Sequence, residues 1–224
     1  MNTIIKMVVF DMAGTTVNEQ NIVYKTLHKA INDAGYNISL NDVLAVGAGM
    51  EKLQAIKSIL HTYAGVDDAV IAESIFQKFS TQLDNAYSTN AILPQPNATD
   101  AFKALKEKGI LVVLNTGYSG QVAQAIVNKL GWQKGVEFDT LITASDVKGG
   151  RPAPDMIKLA AQMYNISTAE IVKVGDSVID IQEGKNAGCA MSIGITTGAH
   201  TVEQLQSAQP DHIINNLLEL LPLV

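Results

Sequence analysis

One cysteine in 224 residues, Cys189, excludes any internal disulfide. No apolar run approaches the ~20 residues that span a bilayer. Residues 1–6 also lack the charged region, apolar core and small-residue cleavage site of a signal peptide. The chain is therefore expected in a reducing cytoplasm, with Cys189 serving as a small buried hydrophobe. Basic residues are in deficit: a net charge of −6 and a pI near 5.1 argue against nucleic-acid or anionic-membrane partners. The four histidines, His28, His61, His200 and His212, show no metal-ligand spacing, and at most His200 is expected to approach a site. There is no internal repeat and no low-complexity tract. What remains, 47% hydrophobic against 17% charged, is a globular composition able to bury a full core.

The most informative stretch runs from Lys6 to Thr16. An apolar run ending at Phe10 reads as a buried strand, which delivers Asp11 to a Gly14-Thr15 turn. Ligands of open α/β sheets bind at that carboxyl edge, so Asp11 is either a turn-capping residue or a nucleophile. Further β-branched runs at 110–115, 140–144, 171–175, 191–195 and 212–214 alternate with helical patterns at 97–108, 121–130, 154–164, 178–187 and 202–208. That alternation reads as α/β: a Rossmann-like parallel sheet with helices on both faces. Residues 17–91 break the pattern, being helical almost throughout, with Ile22, Val23, Leu27, Ala30 and Ile31 on one face. They read as an inserted α-helical cap domain, leaving 1–16 and 92–224 as the core domain. Leu93-Pro94-Gln95-Pro96 forms a stiff return linker. An insertion rooted beside Asp11 would overhang the sheet's carboxyl edge and could close over a ligand.

Polar groups recur where strands end. Thr116, Gly117, Tyr118 and Ser119 precede a helix, whose N-terminal amides suit a phosphate; Ser119 could equally be a plain helix cap. Arg151, in a Gly-Gly-Arg-Pro loop, could clamp phosphate bidentately or lie solvated. Asp176 and Asp180 flank a strand-to-helix turn and suit Mg²⁺, although Ser177 and Asp180 also form a capping pattern.

In this order and on these strand ends the motifs resemble the haloacid dehalogenase superfamily of phosphohydrolases over nearly the whole chain. The likeness runs from Asp11-x-x-Gly14-Thr15 through Asn115-Thr116-Gly117 and Gly150-Arg151-Pro152 to Gly175-Asp176-Ser177-x-x-Asp180. It implies an Asp11-phosphate intermediate, with Thr116 and Arg151 holding phosphoryl oxygens. It also implies Mg²⁺ on Asp11, the Ala13 carbonyl and Asp176, with Asp180 supporting the metal directly or through water. A small phosphorylated or phosphonylated metabolite would be the substrate, and the oligomeric state, monomer or homodimer, stays open. The dehalogenases proper need no metal, which would leave the Asp176/Asp180 pair without a purpose.

Most phosphatases of this superfamily carry a second Asp two residues after the nucleophile. Here that position is Ala13, so a leaving group that needs a proton would lose a contribution worth typically ~10²–10⁴-fold. Acyl phosphates, anhydrides and stabilised carbanions need none. The last case matches the phosphonatase branch, which the chain resembles in Asp11-x-Ala13-Gly14-Thr15, Thr116-Gly117-Tyr118 and Gly150-Arg151-Pro152. That branch uses a cap lysine as a Schiff base, following a Met-Gly-Leu-Leu stretch. Alignment on Gly49 and Met50 sets Gln54 at that place, with Lys52 and Lys57 nearby as candidates. Gly49 is read as part of a cap turn touching the substrate, and Met12 and Tyr118 as shaping its pocket. Residues 194–200 look more like the phosphoglycolate-type phosphatases. Three functional readings follow. The first is a phosphonatase-like hydrolase of a small phospho-substrate, and the second a true carbon–phosphorus hydrolase with a cap lysine. The third is a ligand-binding or interaction protein that kept the fold and lost turnover.

Overall fold

The computed structural model describes residues 4–224. Six parallel strands form one sheet: β1 (Met7–Asp11), β4 (Leu111–Thr116), β5 (Thr140–Thr143), β6 (Ile171–Gly175), β7 (Met191–Ile195) and β8 (His212–Ile214). Their spatial order is β5-β4-β1-β6-β7-β8. β1 is central, and all five of its residues are buried, as a strand covered on both faces requires. Alternation divides the core into two layers. Val8, Phe10, Val112, Leu114, Val172 and Val174 face one side; Met7, Val9, Val113 and Ile171 face the other. On the first side α5 (Ala98–Glu107) brings Phe102 5.4 Å from Phe10 and 5.3 Å from Trp132 in ring-centroid distance, so Trp132 is core packing. On the second, α7 (Asp155–Tyr164) contributes Met156, Ile157 and Ala160.

Between β1 and β4 lie four helices, α1 (Ile22–Asn32), α2 (Leu40–Gly47), α3 (Lys52–Ala64) and α4 (Ala69–Thr89). The helical pattern expected from residue 17 begins later. Val17–Asn18 instead forms a short strand, β2, antiparallel to β3 (Leu93–Pro94), so the outgoing and returning chains are tied together at the base of the helices. Gln95 extends this tie, its backbone amide donating to the Thr16 carbonyl at 2.8 Å. The remaining helices are α6 (Gly120–Leu130), α8 (Val178–Ala187) and α9 (Val202–Ser207). The chain ends in a 3₁₀ turn, Leu217–Leu223, which buries Leu217 and Leu220. Among the described residues no helix is long and apolar enough to cross a membrane.

Candidate active site

Strand register decides which side chains meet. Asp11 pairs with Asn115 across β1 and β4, and Val9 pairs with Lys173 across β1 and β6. With a period of two, Asp11, Asn115 and Lys173 share the face whose earlier positions are Met7, Val9, Val113 and Ile171. An apolar layer thus turns polar as the strands approach their carboxyl ends. Helix α8 lies over that layer and adds Asp180 and Glu183, three apart and therefore on one side of the helix. Ser177 caps α8, its hydroxyl accepting from the Asp180 amide at 3.3 Å and donating to the Asp180 carboxylate.

Arg151 enters this layer from the loop before α7 and is 5% exposed. Its Nη1 lies 2.6 Å from Asp11 Oδ1 and 2.9 Å from Asp180 Oδ1, and its Nε 3.1 Å from Glu183 Oε2. Its Nη2 donates to the Asn115 backbone and side-chain carbonyls at 2.8 and 2.7 Å. Lys173 makes the second cationic node, 3.0 Å from Asp180 and Glu183 and 2.6 Å from Asn115 Oδ1. Asp176 stands apart from both cations. It accepts from the Thr15 hydroxyl at 3.2 Å and from the Ala199 amide at 2.6 Å. Gly14, at φ +85°, permits this approach, since a Cβ there would lie 2.4 Å from Asp176 Oδ2.

The charges do not balance. Two buried cations, Arg151 and Lys173, face four buried carboxylates, Asp11, Asp176, Asp180 and Glu183, while Lys52 and Glu19 add one more buried charge of each sign. Burial pushes the Asp176 carboxyl well above its usual range, with Asp11 and Asp180 adding repulsion. Burial raises Asp11 too, against the pull of Arg151. Asp180 is also buried, yet Arg151 and Lys173 hold it below the usual value. One oxygen from each of Asp11, Asp176 and Asp180 lies within 4.8 Å of the others. Oxygens on opposite sides of a small divalent ion lie about 4 Å apart, so this trio could hold one with slight contraction. Among the described residues the carbonyls of Met12 and Gly14 accept hydrogen bonds and that of Ala13 does not. The donor set is all hard oxygen, and its uncompensated charge is that of one divalent cation.

The inserted helices close over this edge. Gly117 packs so tightly on the Met50 carbonyl that a Cβ would lie 2.9 Å from it. Gly49 donates its amide to the Tyr24 hydroxyl at 3.0 Å. His200 straps the two parts together: its Nδ1 accepts from the Val178 amide at 3.0 Å, which leaves Nε2 to donate to the Leu44 carbonyl at 3.1 Å. Burial favours that neutral ring. Thr116 is buried at the end of β4, its hydroxyl accepting from the Tyr118 amide at 3.2 Å. Met12 is fully buried in the core, whereas Ala13 is partly exposed.

Lysines of the insertion separate clearly. Lys52 is only 6% exposed; its ammonium donates to the Met50 carbonyl at 2.6 Å and lies 5.3 and 5.6 Å from the ring centroids of Tyr24 and Tyr118. Burial depresses its pKa to about 8, against the pull of Asp11, its strongest opposing charge. Lys57 and Gln54 are both exposed on α3, away from this arrangement. Lys52, Ala55, Ile56 and Ile59 form the buried side of α3, and positions 54 and 57 fall outside it.

Several residues of the site escaped the sequence reading. Lys173 is one: a lysine inside the run Ile171 to Gly175 must find partners if that strand is buried, which was the available signal. Glu183 was visible as an acid one turn after Asp180. Glu19 is buried beside Lys52 and raised by burial, accepting from the Val23 amide at 2.8 Å and from the Tyr87 hydroxyl at 3.5 Å. The Tyr87 hydroxyl in turn meets that of Tyr118 at 2.7 Å.

A parallel sheet of this order, with an acidic cluster at its carboxyl edge beneath inserted helices, defines a Rossmann-like α/β core with a candidate metal site at its switch edge. The chain belongs to the haloacid dehalogenase-like hydrolase family, whose sequence profile matches residues 5–188, and is a hydrolase. The phosphonoacetaldehyde hydrolase of Latilactobacillus sakei subsp. sakei is 30% identical over 254 residues, spanning 97% of this chain and 94% of that protein. A phosphoglycolate phosphatase of Shigella boydii serotype 4 is 32% identical over 160 residues, spanning 70% and 62% respectively. The crystal structure of a hydrolase from Pseudomonas syringae shares the fold, with a TM-score of 0.85 at 18% identity over 97% of this chain and 96% of that one.

Proposed function

We propose that this hydrolase is a Mg²⁺-dependent phosphonatase-type enzyme that forms a phosphoryl-enzyme on Asp11 and uses Lys52 to activate a carbonyl leaving group. The observation that carries this reading is the buried Lys52 ammonium, held between Tyr24 and Tyr118 and coupled electrostatically to Asp11. In this reading residues 1–16 and 92–224 act as the core domain and 17–91 as a cap whose closure completes the site. The reducing cytoplasm is its proposed compartment, in keeping with a single cysteine, Cys189, which has no partner for an internal disulfide.

Asp11, the Ala13 carbonyl and Asp176 would hold the metal. Asp180 supports it from the cation network to which it is already bound. Bound there, Mg²⁺ supplies charge neutralisation for the incoming phospho-group. Arg151 steers the Asp11 carboxylate by its 2.6 Å contact, and that Nη1 donor would turn to a phosphoryl oxygen as the phospho-group binds, with Thr116 and Gly117 contributing from the end of β4. The neutral Lys52 amine condenses with an aldehyde, releasing water, and the imine takes up a proton from solvent. The resulting iminium accepts the electron pair of the carbon–phosphorus bond as Asp11 attacks phosphorus. Water then cleaves the aspartyl phosphate, and protonation and hydrolysis of the enamine free the product aldehyde and Lys52. No acid is needed at position 13, which is Ala13.

The test is phosphate release with Mg²⁺ from phosphonoacetaldehyde, acetyl phosphate and phosphoglycolate. Release is expected to be fastest from phosphonoacetaldehyde, and Lys52→Ala to reduce it on the order of 10³-fold. Because the amine must be neutral, kcat/KM should climb with pH and level off near pH 8, the value to which Lys52 is depressed. Turnover of acetyl phosphate alone, unaffected by Lys52→Ala, would make the chain a phosphatase without Schiff-base chemistry.

Metal binding has its own signature. Because one divalent ion would neutralise the carboxylate excess, millimolar Mg²⁺ should raise the thermal midpoint of the wild type. Asp176→Asn should remove most of that rise. A midpoint indifferent to Mg²⁺, read by differential scanning fluorimetry against an EDTA control, contradicts the assignment.

A further inference from the structure

Helices α4 and α6 leave a seam between them that holds a cavity of about 480 Å³. The apolar part of its wall is Phe76, Phe79 and Leu83 from α4 and Val122 from α6, with Asp84 and Gln121 of the same helices at the outer end. Small residues keep it open. Ser80 shares the helical side of Phe76 and Leu83, at spacings of four and three, and Ala144 and Ser145 line the core side. The inner end is formed by Lys52, Gly117 and Tyr118, the amine and the loop that flank the proposed phosphoryl position. Farther along the same seam a second cavity, about 270 Å³, shares Asp84, Gln121 and Val122 with the first.

A cavity of this size, with an apolar stretch of wall between Lys52 at its inner end and Asp84 and Gln121 at its outer one, has the usual form of a small-ligand site. A two-carbon aldehyde held at Lys52 would leave most of it to water lying against two phenylalanine rings. Displacing such water with an apolar group lowers the free energy of the complex.

We propose that the α4/α6 seam binds an apolar organic group attached to the carbonyl of the phospho-substrate. The preferred substrate is then a phosphono-carbonyl compound bearing a short alkyl chain or an aryl ring, rather than a two-carbon aldehyde. This inference rests on the phosphohydrolase reading above. The phospho-group lies at Asp11 and Arg151, the carbonyl at Lys52, and the tail runs past Phe79 toward Val122.

Binding of two stable probes that share a head group separates the possibilities. Titration calorimetry of the Mg²⁺-loaded enzyme with methylphosphonate and hexylphosphonate is expected to give at least about tenfold tighter binding of the hexyl compound. Ser80→Trp and Val122→Trp fill the seam from opposite walls, and each should bring the hexyl-to-methyl ratio back toward one. Circular dichroism identifies which variant folds, and either suffices. Equal wild-type affinity for the two probes overturns the seam proposal while leaving the phosphohydrolase reading intact. No binding of either probe overturns both.

Discussion

Asp11→Asn is expected to abolish phosphate release, by on the order of 10⁴-fold or more, while leaving the fold in place. The amide matches the carboxylate in shape and still offers Oδ1 to Arg151, which lies 2.6 Å away in the wild type. What is lost is the anionic oxygen that bonds to phosphorus, and the neighbouring carboxylates Asp176 and Asp180 are committed elsewhere. Asp176 is tied to Thr15 and the Ala199 amide, and Asp180 to Ser177, Arg151 and Lys173. Stability should move the other way. Burial raises the Asp11 carboxyl in the folded state. Its ionised form is thus disfavoured by folding, and its contribution to stability falls as pH rises through the ordinary carboxylate range. A neutral Asn should therefore keep or raise the metal-free thermal midpoint at neutral pH. A variant within tenfold of wild-type turnover would move the nucleophile to another residue.

Lys173→Met should produce the largest loss of stability of any single change at this site, about 3–5 kcal/mol. Lys173 is fully buried and contacts Asp180, Glu183 and Asn115 at 3.0 Å or less. Without it Arg151 alone faces carboxylates that already outnumber the cations, and the remaining charges cannot reach water. By contrast Lys6 and Glu170 form an ion pair at 2.6 Å with 52% and 27% of their side chains exposed. Breaking it should cost under about 1 kcal/mol. Urea unfolding of the two variants measures the contrast. Adding Glu183→Met to Lys173→Met should recover part of the loss, because it removes one of the two carboxylates that lose Lys173 as a partner. Equal, small losses for Lys173→Met and Lys6→Ala would show that the buried network carries no net stabilisation.

The strand ends were legible because each announces itself as an apolar run stopping at a polar residue. Asp11, Thr116 and Asp176 were read that way, and the fold brings them to one edge with Arg151 and Asp180. The parallel sheet followed from the same alternation. Lys173 was hidden because it lies within a strand instead of at its end, and its partners come from α8 and β4, far away in sequence. Lys52 and Lys57 stayed equal candidates in the sequence for a different reason. Both were set beside Gln54 by a local alignment, whereas burial along α3 follows Ala55, Ile56 and Ile59, a row that includes Lys52 and leaves out Lys57. Periodicity within α3 held that information. The tie between β2 and β3 was less accessible, since two-residue strands carry too little pattern to register against a helical background.

The central claim is a phosphoryl group carried on Asp11. Wild-type enzyme mixed with phosphonoacetaldehyde and Mg²⁺, quenched in acid within the first turnover and analysed by peptide mass spectrometry, tests it most directly. The account predicts a phosphorylated peptide containing Asp11 that is absent from Asp11→Asn and decays as phosphate is released. Phosphate released in the first turnover with no label on that peptide, or with the label on another residue, would contradict it.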